Sequence, residues 1–581
     1  MDKNEKKLVD ELRHKAHMMG PLHDLKEMLN RAESNFTGRT AIVEKQNKTE
    51  VVSYTITRLV SDVNAVGTAL LSMGLKGKHI AVLGENSYRW VVSFLAVVCG
   101  VGVAVPLDKD LSDDGLSKLM TKADAEAVFC SKTYYKTLKE HIKNDERMKN
   151  VFVWNKKYDD EGFMTFDELV EKGNELIKNG DRSYIDAVID NNAVAAIVFT
   201  SGTTGANKGV MLSHKNFATN VDGIIDTIPT EYTSFSLLPM NHVFELSCNI
   251  FTALYMNATI YVNDSLKNIL PNIQLFKPDA MNAVPLVLEG IYNGIWAAAK
   301  ERGKAEPLKK LVKLSNKLRS HGIDLRKVLF ASIRKNFGDK FPTLVCGGAP
   351  SRADYVSGLG DFGFRVYNGY GLTESSPTVT LNMHADDDPT SAGFAFPKSK
   401  FIIHDPDADG IGEIWIKGDN VTQGYYKDPE ATAESFEDGW FKTGDYGRVT
   451  DKGELFVSGR KKTLIILDNG KNVFPEDIEF FVMDNISCIR EAVALELEKE
   501  IRGRTEKVIG LAVYVEPSDF DNMSEKEIKE KVEKDIFALN RRQPSYKKVQ
   551  DVAVVTKEFP KNSTRKIIRQ KVADSYESYK Q

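Results

Sequence analysis

Apolar residues recur along this chain with two periods, and the changes of period mark out its elements. From Ile56 to Met73 they return at helical spacing, Ile80 to Leu83 is a run of strand length, and Val128-Phe129 and Val151 to Trp154 predict further strands. Ala193 to Phe199 and Gly209 to Leu212 are apolar runs on either side of a polar, glycine-rich stretch. They predict a strand–loop–strand unit that holds its loop on a rigid base. The first 45 residues read as a helix plus a connection. Alternation of helical and strand patterns predicts an α/β architecture with parallel sheets.

Trp90 to Leu107 carries no charged residue and is just long enough to span a bilayer. Gly100, Gly102 and Pro106 break it, so the better expectation is a buried helix turning near Gly100 into a buried strand, Val101 to Val105. Leu308-Lys-Lys-Leu-Val-Lys-Leu-Ser-Asn-Lys-Leu318 sets leucines at helical spacing among lysines. Such a helix suits a membrane surface, but its commoner role is a solvated face over a core, which is the expectation here. Beyond about residue 460 the pattern changes again. Glu491 to Leu497, Val508 to Val515 and Asp551 to Val555 read as strands, and Ser524-Glu-Lys-Glu527 has capping-box spacing for a helix running to about Arg541. These elements predict a separate small α+β unit.

Composition narrows the class. With 581 residues the chain exceeds one ordinary core, so at least two domains are expected. Its 78 Lys and Arg stand against 82 Asp and Glu, a net charge of −4 that gives no general reason to bind nucleic acid. Cys99, Cys130, Cys248, Cys346 and Cys488 are scattered without metal spacing, as suits reduced thiols. The opening Met-Asp-Lys-Asn-Glu-Lys-Lys is charged with no apolar stretch behind it, so no signal peptide is expected. The expected location is cytoplasmic, with at most peripheral membrane contact.

The densest chemistry lies in the loop Thr200-Ser-Gly-Thr-Thr-Gly-Ala-Asn-Lys208-Gly209. Four hydroxyls, three glycines and a lysine in ten residues offer hydrogen-bond donors, close backbone approach and a positive charge, which together suit a polyphosphate. It is not a Walker loop, because Gly209 rather than Ser or Thr follows the lysine. A flexible surface turn is the plain alternative. The run resembles the phosphate loop of the AMP-forming acyl and aryl synthetases, the adenylate-forming family. That family's usual loop has proline where Asn207 stands.

Further motifs come in the family's order. Asn368-Gly369-Tyr370-Gly371-Leu-Thr373-Glu374 resembles its adenine and magnesium motif, with Tyr370 able to stack on adenine and Glu374 able to hold Mg²⁺. Gly347-Gly348-Ala349-Pro350 resembles the segment lining the other face of the adenine. Trp440-Phe-Lys-Thr-Gly-Asp445 resembles the ribose motif, its aspartate expected on a tight glycine turn, with Arg460 as partner on ribose and phosphate. Lys566, in Pro560-Lys-Asn-Ser-Thr-Arg-Lys566, matches the catalytic lysine of adenylation, although Arg565 replaces the usual glycine. Leu238-Pro-Met-Asn-His242-Val-Phe-Glu245 matches the acyl side of the site and makes His242 a candidate for orienting the carboxylate. The segment Gly459 to Glu479 matches the hinge and the stretch after it, with Thr463 where aspartate or lysine is common and Gly470 beside the pantetheine path.

The resemblance covers about residues 30 to 570 and implies a fold. A large N-terminal α/β domain, residues 1–460, has parallel and mixed sheets, packed helices and a small β-barrel-like subdomain. A small mobile α+β domain, residues 461–581, completes the chain. Bound nucleotide would lie on Thr200, Ser201, Gly202, Thr203, Thr204, Gly205 and Lys208, with Thr203 and Glu374 near Mg²⁺. The implied activity is ATP-dependent conversion of a medium- to long-chain fatty acid to acyl-AMP, then to acyl-CoA. The implied catalytic residues are Lys566, Glu374 and His242. Two alternatives stay open: transfer to an acyl carrier protein instead of CoA, and a non-catalytic nucleotide- or lipid-binding relative.

Overall fold

The uncharged stretch at Trp90 is a helix, Tyr88–Val98, followed by a strand, Val103–Leu107. The Ser87 hydroxyl caps the helix by accepting from Trp90 N at 3.1 Å. Trp90, Phe94 and their neighbours are buried on every side, which is why the segment carries no charge. The computed structural model describes residues 20–47, 50–156, 162–200, 207–228, 232–338, 342–384, 387–468, 471–501, 504–520, 523–561 and 566–580. Among them no helix is long and apolar enough to cross a membrane.

The chain divides into two units: Met1–Phe401 with Ile416–Phe441, and Ile402–Trp415 with Lys442–Gln581. The first contains two large sheets. One has seven strands in the order Phe163–Thr165, Asn150–Val153, Ala125–Cys130, His79–Leu83, Val103–Leu107, Val194–Thr200, Lys208–Ser213. All its pairings are parallel except the last, an antiparallel hairpin. The other has nine strands and is parallel through its middle, where Ala280–Ala283, Thr343–Cys346 and Arg365–Gly371 lie side by side. Its far edge is Val51–Thr55, antiparallel to Thr40–Lys45. Thr40–Lys45, where the sequence predicts a connection, lies one strand in from the edge and pairs with Thr259–Val262 on its other side. It is short and buries Ala41, Ile42 and Val43 in a row, so it lacks the alternation that marks a strand, and Val51–Thr55 has no fully buried position. Helices Leu25–Phe36, Ile56–Ser72 and Tyr88–Val98 supply much of the main apolar core.

A five-stranded sheet comprises Ser399–His404, Gly412–Gly418, Trp440–Val449, Phe436–Glu437 and Leu455–Arg460. Its first three strands run across the division between the units. Beyond Arg460, Ile489–Ile501 and Arg504–Val515 pair antiparallel, and Val549–Val555 joins the second in parallel. Helix Glu525–Leu539 opens on the expected capping box, Ser524 with Glu527, and buries Ile528, Val532 and Ile536. The mixed α/β unit and the later α+β elements are the fold class expected from sequence.

Candidate functional site

Thr200 and Lys208 face each other in the antiparallel hairpin, so its strands fix the two ends of the phosphate-loop sequence. Ser201, Gly202, Thr203, Thr204 and Gly205 lie outside the described residues. The carbonyl of Asn207 accepts from Lys122 Nζ at 2.5 Å, so this departure from the family's proline leaves the backbone held. Lys208 Nζ sits 4.5 Å from the centre of the Tyr425 ring. The Tyr425 hydroxyl donates to Glu374 Oε1 at 2.9 Å. Burial first, and the Glu374 carboxylate second, push the Tyr425 phenol up, so it keeps its proton at neutral pH.

The segment around Tyr425 is laced to both neighbours. Thr422 N donates to Glu374 O at 2.7 Å, and Thr422 Oγ1 donates to Met211 O at 2.6 Å. Tyr426 N donates to Gly209 O at 2.8 Å, and Met211 N to Gly424 O at 3.0 Å. One short segment thereby fixes the carboxylate of Glu374 relative to the return strand of the loop. Sequence reading missed it. Its visible signal, Gly424-Tyr-Tyr426, carries no phosphate chemistry of its own.

Cys346 lies opposite Asn368 in adjacent parallel strands, so the Gly347–Pro350 segment and the Asn368–Glu374 segment leave the sheet side by side. Gly348, Ala349 and Pro350 are exposed at that end. Asn368 is buried and serves the framework: its Nδ2 donates to Pro389 O at 2.9 Å and its Oδ1 accepts from Ser351 at 3.2 Å. Gly369, Tyr370 and Gly371 pair with strand Thr378–Leu381. A Cβ on Gly371 would lie 1.8 Å from Pro377 O, so no other residue fits. The turn Thr373–Ser375 then carries Glu374 to Tyr425.

The acyl-side motif meets this region through Phe244, whose backbone carbonyl accepts from Asn282 Nδ2 at 2.9 Å. The Phe244 ring would contact a Cβ on Gly347 at 3.4 Å. His242 ends the loop from strand Thr233–Ser236 and precedes the helical turn Val243–Glu245. That turn continues into a π-helical one, Leu246–Phe251, a form common at functional sites. Glu245 is fully buried, accepts from Asn249 Nδ2 at 2.7 Å, and is pushed up to about 8 by burial. It is therefore largely neutral at pH 7.

In the second unit Asp445 lies in strand Trp440–Val449, not on a tight turn. Gly444 takes φ +69° without ending the strand, and pairing with Leu455–Arg460 begins at the next residue, Asp445. Asp445 is buried opposite Arg460, whose Nε lies 3.1 Å from Asp445 Oδ1. Lys566 is brought to the same place: burial first, then Arg460, lower its ammonium to about 8, and Asp445 opposes them. The Lys566 side chain still keeps exposed surface. Both feet of the Lys566 segment are held. Lys561 pairs backbone to backbone with Ile567, and its ammonium contacts Glu491 and, at 2.8 Å, Glu558. Arg569 donates to Glu479 Oε1 at 2.7 Å and Oε2 at 2.6 Å, with Glu476 Oε1 at 3.4 Å. Sequence reading missed Arg569. Gly470 lies outside the described residues.

Among the described residues no group of three or more His, Cys, Asp or Glu gathers as a metal cage. A single carboxylate such as Glu374 still fits Mg²⁺, which is commonly held by one or two carboxylates together with substrate phosphates.

A lysine-ended hairpin, a carboxylate tied to it and an exposed glycine-rich sheet end define a nucleotide-binding α/β enzyme. Residues 29–426 match the model of the AMP-binding enzyme family, and residues 462–579 match the AMP-binding enzyme C-terminal domain. The chain belongs to the AMP-binding enzyme family. It is 26% identical over 494 residues to the long-chain-fatty-acid–CoA ligase FadD15 of Mycobacterium bovis, covering 82% of this chain and 79% of that protein. Fatty acyl-CoA synthetase B of Dictyostelium discoideum is 30% identical, covering 71% of this chain and 65% of its own length. Among solved structures, an anthranilate CoA ligase in complex with anthranoyl-AMP superposes with a TM-score of 0.76 at 18% identity, covering 97% of this chain and 99% of that one. ATP-bound MatB from Rhodopseudomonas palustris superposes with a TM-score of 0.73 at 22% identity, covering 96% of this chain and all of that one. The expectation of an adenylate-forming enzyme is borne out.

Proposed function

We propose that the chain activates a medium- to long-chain fatty acid with ATP and passes the acyl group to the thiol of CoA. The observation that carries this reading is the chain Lys208–Tyr425–Glu374, which couples the end of the phosphate loop to a carboxylate suited to Mg²⁺. ATP would lie with its phosphates on residues 200–208, its adenine against Gly348–Pro350 and Tyr370, and its ribose on Asp445. Bound at Glu374, and at Thr203 in the loop, Mg²⁺ would supply charge neutralisation on the phosphates.

In the first step the fatty carboxylate attacks the α-phosphorus and pyrophosphate leaves. Two anions must meet, and charge grows on the phosphorus oxygens. The Lys566 ammonium stabilises that charge and the loop holds the nucleotide in line. His242 orients the carboxylate. In the second step the thiol attacks the acyl carbonyl, releasing AMP and leaving a thioester. We propose that residues 461–581 move between the steps about the Thr463 region, taking Lys566 away and bringing Gly470 to the pantetheine path. Membrane contact in this reading is at most peripheral.

The test is pyrophosphate release with Mg-ATP over acids from acetate to oleate, with aryl acids included. Release that is strongest with medium or long chains is expected, and none with any acid would overturn the reading. Offering CoA and a carrier phosphopantetheine together identifies the acceptor, and exclusive loading of the carrier would replace CoA.

A further inference from the structure

The helical insertion after strand Ala280–Ala283 has an outer surface that the activity leaves unused. Helix Ala305–Arg319 turns Leu308, Leu311 and Val312 onto the core beneath it. Its exposed positions are Glu306, Pro307, Lys309, Lys310, Lys313, Leu314 and Lys317. Lys310, Leu314 and Lys317 come one after another at helical spacing, so an exposed leucine stands inside a lysine stripe. Lys309 pairs with Glu306, but among the described residues Lys310, Lys313 and Lys317 have no ion pair. Beyond the helix, Ile323 and Leu325 in the connection and Val328 in the short helix Arg326–Leu329 are exposed, the last at 72%. From Lys300 to Lys335 there are twelve Lys and Arg against three Asp and Glu, in a chain whose net charge is −4. Solvent explains neither the local excess of cations nor the aliphatic residues among them.

We propose that this outer face, Lys310, Lys313, Leu314 and Lys317 with Ile323, Leu325 and Val328, docks on an anionic lipid surface. Lysines reach lipid headgroups while their stems and the aliphatic side chains enter the boundary with the acyl chains. Charge complementarity selects anionic lipid, and the aliphatic residues separate this surface from one built for a purely ionic partner. The placement also makes chemical sense. Helix Pro285–Glu301 links this insertion to Ala280–Ala283, whose Asn282 holds Phe244 of the acyl-side motif. The face is thereby continuous along the chain with the acyl side of the proposed site.

This deepens the peripheral-contact reading, and its test is independent of turnover. Full-length protein is sedimented with vesicles of phosphatidylcholine alone and with vesicles containing about one-third phosphatidylglycerol. Binding to the anionic vesicles is expected, with little to the neutral ones. Each lysine contributes about fivefold, so Lys310→Glu, Lys313→Glu, Lys317→Glu together should lower partitioning at least a hundredfold. Leu325→Ser with Val328→Ser should lower it about tenfold, and that loss should persist in high salt. Both variants should keep wild-type far-UV circular dichroism and pyrophosphate release with a water-soluble medium-chain acid. No binding of the wild type to anionic vesicles, or undiminished binding of the lysine variant, would overturn the proposal. So would binding to a soluble polyanion such as heparin without binding to vesicles. Absent pyrophosphate release with intact vesicle binding would overturn the enzyme reading alone.

Discussion

Two lysines anchor the proposed chemistry, and the molecule holds them by opposite means. Lys208 begins a strand, lies in register with Thr200, and rests on an aromatic ring that belongs to a hydrogen-bonded backbone segment. Lys566 is flanked by residues clamped through charged side chains, Lys561 on Glu491 and Glu558 and Arg569 on Glu476 and Glu479. A sheet position is fixed by backbone geometry and changes little. Ion pairs instead fix Lys561 and Arg569, on either side of Lys566, to elements of its own unit. The difference suits a lysine that holds nucleotide throughout and one that is needed for a single step.

The largest expected effect tests that division of labour. Lys566→Ala should slow pyrophosphate release about 10²–10³-fold while leaving thioester formation from preformed acyl-AMP within about threefold. Equal loss of both steps would erase the contrast. Next comes the clamp. Arg569→Ala should lower kcat of adenylation about tenfold or more with little change in KM for ATP, and Arg569→Lys should recover part of it. A change in KM alone would make Arg569 a nucleotide ligand instead. Lys208→Ala should behave in the reverse way, raising KM for ATP about tenfold with a smaller effect on kcat.

The pH profile sharpens the same comparison. Lys566 must be charged to act, and its ammonium is lowered to about 8. The rate at limiting ATP should therefore fall as pH rises through about 8, and Lys566→Arg should remove that limb. The smallest effect concerns Glu476, which burial pushes up to about 7, with Arg569 opposing and Glu479 adding to the rise. An acid whose folded value is raised costs stability as pH rises from its ordinary value of about 4.5 to about 7. Glu476→Gln should therefore stabilise the protein above pH 7 and not below pH 5, read from thermal melts at both pH values.

Legibility in the sequence tracks the locality of the interactions. The phosphate-loop hairpin, the buried helix at Trp90 and the capping box at Ser524 depend on neighbours a few residues away, and all are readable. The Thr422–Tyr426 segment was not, because its role is to bridge Met211 and Glu374, and no local pattern announces a bridge. Arg569 hid for the same reason, since its partners lie about ninety residues upstream. Asp445 was assigned the right neighbour but the wrong backbone: Thr-Gly-Asp reads as a turn, and only pairing with Leu455–Arg460 keeps it a strand. Within Ala305–Arg319 the expected solvated face over a core is present, but its exposed leucine was not singled out.

The five-stranded sheet constrains how the protein can be taken apart. The chain crosses from one unit to the other at 401/402, 415/416 and 441/442, each time inside a strand. A split gene joined at any of these points would interrupt a paired strand and leave two fragments with raw sheet edges, which favour aggregation. A split between residues 460 and 461 leaves all three crossings in the first fragment and falls at the end of a strand. Residues 1–460 and 461–581 are therefore the halves expected to be recovered as separate polypeptides.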